Sequence, residues 1–541
     1  MKKTTQRLML FMLTAGLVFS SFTGCNGGGN ETGEKQNTNK ELPNYTESRS
    51  FRILADRPCT PTEENLIVYK EAGFTHYNMT EDDYKITNVD GQFGYVADDP
   101  ETTDKKETSV SLGEDENGNV VHLNENDQPI DWNENYGADD GILNPKYLEA
   151  FDTCEKVGLK AIIRNYYACS KYFKNDTEET RARDITLPNV TYRIPVRDLA
   201  EGLSQLPALD GYYMGDEPSW AFIDTLAPIV DWYNENAYGK GKNGDVSWFH
   251  INLLQTYGNG FFAGHTYEEY VDKYCDVILS KVKGSKSLGT DYYPLEYDAK
   301  TGDPYIKNGI LTDYFVIAEK TKQMNAAIAD EKDKVLTNFC IQTFNSQNTK
   351  WRDISSLADI TFQTNLAMAF GAKSLQYYLY RASSGSAGII DNVKQQPTYM
   401  YPFVKEANRQ VKNLQNVILS FDWVSAKTYK GVQVSSEVTA EGFDKVAART
   451  AENFAFVSNV SSRLDTVISE MQDKSGNKGY MVVNFSEPSL GQTDFVTLSF
   501  IEGVKKAVVY IEGEPQTVDV VNGKLNLKLG AGGGAFVYPV Q

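Results

Sequence analysis

One stretch of the chain shows the unit from which the fold is built: Asp210-Gly211-Tyr212-Tyr213-Met214-Gly215-Asp216-Glu217-Pro218-Ser219-Trp220. An apolar run here ends in two adjacent acids and a proline, which has no amide hydrogen to donate and therefore stops a strand. Apolar residues then recur every three or four positions over 222–236, which is the spacing of an amphipathic helix. The stretch predicts a strand, a polar loop and a helix in succession.

The same unit recurs eight times between residues 51 and 419. Eight strands that are each followed by a helix favour a closed (β/α)8 barrel over an open doubly wound sheet. Gly73, Gly158 and Gly371 follow three of the helices, where a left-handed cap favours glycine. The predicted strands are 51–56, 75–79, 160–166, 211–214, 247–253, 287–292, 335–342 and 374–380, and the predicted helices are 63–72, 145–157, 196–206, 222–236, 267–279, 312–329, 354–370 and 402–419.

Two insertions interrupt the predicted barrel, at about 84–142 and 170–191. The first contains the turn Asp115-Glu116-Asn117-Gly118-Asn119, whose spaced acids and amides resemble a calcium-binding loop. Val120 stands where such a loop needs glycine, so the turn predicts a β-hairpin instead. The second insertion is a charged loop. Both follow the carboxyl ends of strands, where the loops of a barrel build binding sites.

Short strands separated by Gly, Asn and Ser turns replace the strand–helix alternation after Ser420. This pattern predicts a barrel over 49–420 and an antiparallel β-sandwich over 421–541, with no helix between the sandwich strands. Residues 461–472 are assigned to a connecting loop or a short helix. The predicted sandwich strands are 432–434, 454–460, 479–485, 495–500, 506–511, 516–521, 525–529 and 535–538.

The first residues have the pattern of an export signal. Basic residues within the first seven positions precede an apolar run over 8–19 that is too short for a confident membrane span. Phe22-Thr23-Gly24-Cys25 then resembles a bacterial lipobox, in which Cys25 carries the lipid; an ordinary secretory signal with an incidental cysteine is the alternative. We predict a signal peptide over 1–24, a flexible polar tether over 25–48 and an extracytoplasmic protein that is lipid-anchored to the bacterial cell envelope.

The charge of the 541-residue chain excludes one class of partner. Its formal net charge is −20, and a surface this acidic repels phosphate backbones and anionic lipid headgroups. We therefore predict no nucleic-acid partner and no membrane contact other than the N-terminal lipid. A neutral ligand such as a sugar is unaffected by this field. The 33 tyrosines combine flat apolar faces with hydroxyl groups, which suits carbohydrate.

The cysteines and histidines predict neither a metal site nor a cofactor. The five cysteines other than Cys25 have no C-x-x-C spacing, so we expect small buried residues and leave one oxidised pair open. His76 and His250 lie within predicted strands, where a core role is expected. No histidine spacing suggests a metal triad, and no glycine motif for phosphate precedes a helix.

The candidate catalytic residues come from the carboxyl ends of the predicted strands. Glycoside hydrolysis requires one protonated carboxyl group, which donates to the leaving oxygen, and one ionised carboxyl group. We predict Glu217 as the acid and Asp291, on another even-numbered strand, as the second carboxylate. Asp216 alternates with Glu217 along the strand, so we expect it to orient neighbours and not to share the face of Glu217. An acid that merely favours a helix N-terminus is the structural alternative.

Further candidate residues surround these acids. Like charge and the enclosing rings of Trp220, Tyr292 and Tyr293 are expected to raise the pKa of Glu217, and the rings also offer flat surfaces to sugars. Candidate substrate contacts at the other strand ends are Asp56, Arg57, Arg164, Asn165, Asn252, Gln342, Tyr378 and Arg381.

The lipobox-like start, the (β/α)8 pattern, Asp216-Glu217-Pro218 and the β-rich tail resemble bacterial glycoside hydrolases of the β-galactosidase-like barrel superfamily. The resemblance implies that Glu217 is the acid/base, at a site where the preceding residue is usually Asn. It also implies a glutamate nucleophile at the end of strand seven, but residues 337–345 contain no acid. Three alternatives stay open: Asp291 acts as base or nucleophile, a loop acid such as Glu81 or Asp82 does so, or the barrel binds glycans without cleaving them.

The sequence therefore supports three functional hypotheses. The first is an exported, lipid-anchored glycoside hydrolase that acts on an oligo- or polysaccharide. The second is a non-catalytic glycan-binding lipoprotein on the same scaffold, which the acid-free end of strand seven favours. The third is a solute-binding lipoprotein that feeds a transporter. That class has two similar lobes joined by a hinge, and the eight-unit pattern with a β-rich tail disfavours it.

Overall fold

The computed structural model describes residues 39–46, 51–79, 111–114, 120–123, 145–164, 185–187, 190–192, 208–241, 248–256, 262–307, 309–346, 350–382, 386–431, 437–449 and 453–541. Within these limits Thr38–Gln541 forms one compact unit. Several predictions lie outside the described residues: the signal peptide, Cys25, Glu81, Asp82, Asn165, the helix over 196–206 and the strand over 432–434.

Eight parallel strands form the predicted barrel. From the second strand to the eighth, each strand pairs in parallel with the next in chain order, and the eighth pairs in parallel with the first. The amide of Thr75 donates to the carbonyl of Ile53 at 2.9 Å and joins the first strand to the second. The (β/α)8 prediction is therefore confirmed. In chain order the strands are Arg52–Ala55, His76–Met79, Lys160–Arg164, Leu209–Asp216, Trp248–Leu254, Ser285–Asp291, Val335–Gln342 and Ala372–Tyr378.

The helices of the barrel begin and end close to their predicted bounds. Gly73, Gly158 and Gly371 have φ values of +96°, +74° and +82°, so the left-handed caps are confirmed. The helix predicted over 222–236 is two helices, because the chain turns at Leu226 and proline stands near the start of the second. The helices are Glu63–Glu71, Pro145–Val157, Trp220–Thr225, Ala227–Asn236, Tyr267–Val277, Gly309–Ala326, Leu357–Ala369 and Tyr401–Ser420.

Both predicted insertions contain short antiparallel strand pairs. Ser111–Glu114 pairs with Val120–Leu123 across the turn that the sequence assigns to a hairpin, so the hairpin prediction is confirmed. The predicted charged loop holds the pair Ile185–Leu187 and Val190–Tyr192 near its end. Two further pairs lie in loops beyond the sixth, seventh and eighth barrel strands: Leu295–Tyr297 with Pro304–Ile306, and Asn345–Ser346 with Ser386–Ala387.

The barrel interior is apolar in the middle and polar at both ends. Leu54, Ile162, Tyr213 and Trp248 form a buried layer contributed by four strands. Below it, His76 shares Asp210 with Arg52, and its Nε2 lies 3.1 Å from an Asp210 carboxylate oxygen. Burial lowers the pKa of His76. The expected core roles of His76 and His250, both buried, are confirmed.

The C-terminal residues form two antiparallel sheets. The three-stranded sheet packs on one face of the six-stranded sheet, and residues such as Val496, Leu527, Ile468 and Val537 form the core between them. The predicted β-sandwich is confirmed. Its six-stranded sheet runs in the order Phe421–Tyr429, Thr466–Asp473, Lys478–Asn484, Gly534–Val540, Lys506–Ile511 and Glu514–Asp519, and its three-stranded sheet in the order Val457–Ser462, Asp494–Phe500 and Lys524–Leu529.

Three predictions for the sandwich region are wrong. Residues 461–472 are mostly strand. The sequence pattern did not reveal this, because Thr466–Asp473 is buried on both faces and lacks the alternation that marks a half-exposed strand. The strand Phe421–Tyr429 follows the helix Tyr401–Ser420 with no intervening turn, and the sequence pattern missed it. A helix, Glu437–Arg449, stands among the strands where none was predicted.

The six-stranded sheet packs its other face on the barrel. Phe485 contacts Phe362 on the last helix but one of the barrel, with ring centres 5.5 Å apart. Beside this contact the buried Arg352 pairs with Asp359 of the same helix, and its Nε lies 2.8 Å from Glu487 of the sandwich. Apolar packing and a buried ion pair therefore join the two regions.

Residues 39–46 do not behave as the predicted solvated tether. The Asn39 side chain is fully buried, donates to the carbonyls of Lys478 and Pro539 at 2.6 and 3.0 Å, and accepts from the Lys478 amide at 2.9 Å. The Tyr45 hydroxyl donates to Asp473 at 2.7 Å. This part of the tether prediction is wrong, because Asn39 and Tyr45 hold the segment against the ends of three interior strands of the C-terminal sheet.

The four described cysteines, Cys59, Cys154, Cys275 and Cys340, are buried, as expected of small core residues. The oxidised pair that the sequence left open does not occur among them. Among the described residues, no helix is both long enough and apolar enough to span a membrane.

Replacing Asn39 with Ala should lower the free energy of unfolding by about 1–3 kcal/mol, because three buried backbone groups lose their partner. Chemical denaturation of the full chain measures this change. The control is Lys40→Ala at the neighbouring exposed position, which should leave stability unchanged. Equal stability of the two variants would show that the segment is not held by Asn39.

Candidate functional site

The carboxyl ends of the barrel strands bring polar side chains together at one end of the interior, which we call the barrel mouth. Register places Asp216 of the fourth strand level with Asn252 of the fifth, and Asn252 level with Gly289 of the sixth. Asp56 follows directly on the first strand, and its amide donates to the eighth strand at 2.8 Å. Candidate residues that are distant in sequence therefore share one rim.

Arg164, at the end of the third strand, links two of the candidate acids. Its guanidinium donates to Asp56 at 2.7 Å and to Asp216 at 2.8 Å, and it lies over the ring of Tyr213. Asp56 is 3% exposed. Burial raises the pKa of Asp56, and the charge of Arg164 opposes that rise. Arg164 thus acts as a bridge between the first and fourth strands.

Asp56 is held by two amides in addition to Arg164. Asn78 of the second strand donates to it at 2.9 Å, and Gln376 of the eighth strand donates at 2.9 Å. Gln376 in turn lies 3.0 Å from Nε2 of His250, whose pKa burial lowers to about 4. Sequence analysis missed Asn78 and Gln376 because it considered only residues that end or follow these two strands. Only their positions within the strands could have identified them as site residues.

Asp216 faces the interior, which alternation along the strand did not predict. The pairing register shifts between Tyr213 and Gly215, so the side-chain alternation is interrupted before Asp216. The Tyr213 hydroxyl donates to Asp216 at 2.5 Å, and Arg164 holds its other oxygen. The expectation that Asp216 turns away from the face of the other acids is wrong. Its side chain is 26% exposed, so it borders the mouth.

Glu217 follows Asp216 in a left-handed backbone conformation, with φ of +45°. Its amide donates to the Asn252 carbonyl at 2.9 Å, which fixes this turn against the fifth strand. Its side chain is half-buried. Burial raises the pKa of Glu217 to about 7, and the negative charge of Asp216 adds to the rise. A carboxyl group with this pKa is protonated in a large fraction of the molecules at neutral pH.

Asp291, at the end of the sixth strand, is the third carboxyl group of the mouth. It is 7% exposed, and the side chains of Tyr293 and Cys340 lie beside it. Burial raises its pKa well above the usual range, and the charges of Asp216 and Glu217 raise it further. All three acids therefore lie within electrostatic reach of one another. The predicted role of Asp291 as the ionised carboxylate conflicts with this environment, which favours its neutral form.

Aromatic side chains form a cluster beside Asp291. Tyr293 is mostly buried among Phe344, Trp351 and Tyr378, with ring centres 5.0, 6.0 and 5.5 Å away. Tyr293 and Tyr378 were predicted for the site, whereas Phe344 and Trp351 were not. The peptide between Tyr378 and Leu379 is cis.

Two predicted sugar contacts are engaged elsewhere. Tyr292 is fully buried outside the barrel against Tyr314, because successive residues of a strand face opposite sides and Asp291 takes the interior. The Gln342 side chain exchanges hydrogen bonds with both backbone groups of Leu295 and also donates to the Arg352 carbonyl at 3.1 Å. Both predictions are wrong, since Tyr292 packs in the core and Gln342 ties loops together.

Trp220 has close neighbours of its own. His265 stacks on its ring at 3.7 Å between centres, and the Lys273 ammonium lies 4.6 Å from the ring centre. These contacts reduce the ring area that remains for a sugar. Trp220 begins the helix that follows Pro218. The Pro218 carbonyl accepts a hydrogen bond from the Tyr270 hydroxyl at 2.6 Å.

Three further candidates, Arg57, Arg381 and Asn252, lie near the carboxyl ends of their strands. Arg57 follows Asp56 with φ of +48°, and its carbonyl accepts from the Arg381 amide at 2.9 Å, so the two arginines sit side by side at the rim. Asn252 is fully buried at the end of the fifth strand. Among the described residues, no group of His, Cys, Asp and Glu is arranged to hold a metal ion.

No protein-family model matches the chain, and no curated protein matches it. Among solved structures, a GH27 β-L-arabinopyranosidase from Geobacillus stearothermophilus is 11% identical over 91% of this chain and 96% of that one, with a TM-score of 0.42. An α-amylase from Anoxybacillus is 11% identical over 91% and 99%, with a TM-score of 0.44. The α-galactosidase I from Mortierella vinacea is 8% identical over 92% and 98%, with a TM-score of 0.43.

These structural matches are glycoside hydrolases, the class to which the sequence pattern pointed. At such identities and TM-scores, we take the activity from the residues of the site alone.

Replacing Asp216 with Asn removes the negative charge beside Glu217 and keeps the side-chain shape. Because burial is the larger cause of the shift and persists, we expect the pKa of Glu217 to fall from about 7 but to stay above its ordinary 4.5. Carbon NMR of the carboxyl groups over a pH titration measures it. The control is Glu235→Gln, an exposed position that should leave the pKa unchanged. An unaltered pKa in D216N would contradict this electrostatic reading.

Proposed function

We propose that the chain is an exported, lipid-anchored glycoside hydrolase that acts on an oligo- or polysaccharide. One observation carries the proposal: a half-buried carboxyl group, Glu217, whose pKa burial raises to about 7, stands directly beside the Asp216 carboxylate. Hydrolysis of a glycosidic bond needs such a pair, one group bearing a proton and one bearing charge. The neighbouring rings and amides at the mouth suit a neutral polyhydroxylated ligand.

Glu217 is the proposed general acid. No described residue hydrogen-bonds to its side chain, so its proton is available to the leaving oxygen of a substrate. Desolvation and the adjacent negative charge keep that proton on Glu217 until the bond to the leaving group breaks.

Asp216 is the proposed ionised partner, acting as base or nucleophile. Arg164 and Tyr213 hold its two oxygens and keep the charge in place at the mouth. This role replaces the one that the sequence gave to Asp291, since the surroundings of Asp291 favour the neutral acid.

A second candidate function is glycan binding without turnover. It is supported by the end of the seventh strand, where the implied glutamate is absent and Gln342 is occupied with backbone groups. Turnover of any glycoside by the wild-type protein would remove this alternative.

The substitution Glu217→Gln should lower kcat on a glycoside by about 10²–10⁴-fold, the usual contribution of a positioned general acid. The loss should be smaller on nitrophenyl glycosides than on alkyl glycosides, because nitrophenolate leaves without much protonation. Release of nitrophenolate and of reducing sugar measures the two cases.

The variant Glu235→Gln serves as the control and should keep full activity. Wild-type activity should fall as the pH rises through about 7, because Glu217 then loses its proton. Unchanged kcat in E217Q, with the fold intact, would refute the assignment.

The proposed lipid anchor predicts that Cys25→Ser abolishes incorporation of labelled palmitate and releases the protein from the cell envelope. The control Cys275→Ala alters a buried cysteine and should leave labelling unchanged. Labelling that persists in the Cys25 variant would show that the lipid, if any, is attached elsewhere.

A further inference from the structure

Two polar side chains at the mouth have atoms without partners. Asn252 is fully buried, and its amide nitrogen has no hydrogen-bond partner among the described residues. Asp291 is 7% exposed, and its Oδ1 likewise lacks one. Buried polar atoms are nearly always satisfied in folded proteins, so orphaned atoms in a concave site point to a missing ligand or water.

Side chains of the seventh and eighth strands fix the orientation of the Asn252 amide. Asn338 of the seventh strand donates to the Asn252 oxygen at 3.3 Å, and the Asn338 oxygen accepts from Ser374 of the eighth strand at 2.7 Å. This contact passes over Gly289 of the intervening strand, where a side chain would collide with the Asn338 carbonyl. The Asn252 nitrogen is therefore the donor of this side chain that remains without a partner.

Asp291 lies one inward-facing step beyond Gly289 on the same strand, and so one step nearer the rim than Asn252. Tyr293 and Cys340 lie beside the Asp291 carboxyl group, and no described residue hydrogen-bonds to Oδ1. A neutral Asp291 with its proton on Oδ1 presents a hydrogen-bond donor at this unpartnered position. Burial and the two neighbouring acids favour that neutral form, because they raise its pKa.

We propose that Asp291 and Asn252 bind hydroxyl oxygen of the sugar as a pair of uncharged hydrogen-bond donors, and that Asp291 keeps its proton throughout the reaction. This inference rests on the proposed hydrolase function and names the substrate class as a neutral sugar ring. Two donors on adjacent strands match the lone pairs of hydroxyl groups. The charge of Asp216, which reaches Asp291, disfavours an anionic sugar at this position.

The test compares Asp291→Asn with Asp291→Leu. Asn reproduces a neutral carboxyl group in shape, with one carbonyl and one N–H donor, whereas Leu has similar volume and no polar atom. On the nitrophenyl glycoside that the wild-type protein turns over fastest, we expect D291N to keep kcat within about threefold, and D291L to raise KM about tenfold, the effect of one lost hydrogen bond. Thermal melting checks that both variants fold.

The outcome that overturns the inference is a kcat in D291N reduced by about 10² or more, as loss of a base or nucleophile would cause. If D291N and D291L bind equally well, that also overturns it. Asn252→Leu should raise KM as D291L does, and an unchanged KM would remove Asn252 from the site.

A second measurement separates this inference from the proposed hydrolysis. Calorimetry with free galactose, glucose, xylose and arabinose should give an affinity for one of them that D291L weakens and D291N retains. That result without any turnover supports the inference and refutes hydrolysis. A normal effect of E217Q together with a collapse of kcat in D291N refutes the inference and leaves hydrolysis standing. Wild-type protein that binds none of these sugars and cleaves no glycoside overturns both.

Discussion

The mouth of this barrel depends on one guanidinium group. Arg164 donates to Asp56 and to Asp216 from the end of the third strand, so a single side chain joins the acids of the first and fourth strands. Removing one partner of such a buried arrangement leaves an uncompensated charge, which is strongly destabilising. The bridge also has a chemical consequence: it holds the Asp216 charge next to Glu217, and that charge adds to the rise of the Glu217 pKa.

At the three carboxyl groups of the mouth, the surroundings decide where the protons reside more than the residue type does. Asp216 has charged and phenolic donors, whereas Asp291 is sealed among Tyr293, Cys340 and aromatic rings. Glu217 lies between these extremes, half-buried and with no described side-chain partner. The proposed roles follow from these surroundings: Asp216 keeps its charge, Asp291 keeps its proton, and Glu217 gives its proton up.

Sequence pattern predicted the fold well because the barrel repeats one unit eight times. Polar residues stand at the carboxyl ends of the strands. Glu217, Asp291, Arg164 and Asn252 were therefore found from their positions alone. What the pattern could not give were departures from regularity. The register shift before Asp216 reverses its face, and a strand that is buried on both sides, Thr466–Asp473, has no period to detect.

Side-chain competition explains the other errors. Tyr292 and Gln342 have the right chemistry for sugars at the right height of the barrel, but one faces outward and the other is consumed by loop backbone. Residues 39–46 have a polar composition that is typical of a tether, yet the side chain of Asn39 hydrogen-bonds to the ends of two interior strands near the end of the chain. Contacts between such distant residues leave no local signal.

The most direct test of the proton assignment at the mouth is neutron crystallography of the deuterated protein, at a pH below the value of about 7 for Glu217. We predict deuterium on the carboxyl groups of Glu217 and Asp291, and an Asp216 carboxylate without deuterium, held by Arg164 and Tyr213. An ionised Asp291, or a proton on Asp216 with Glu217 charged, would contradict the assignment.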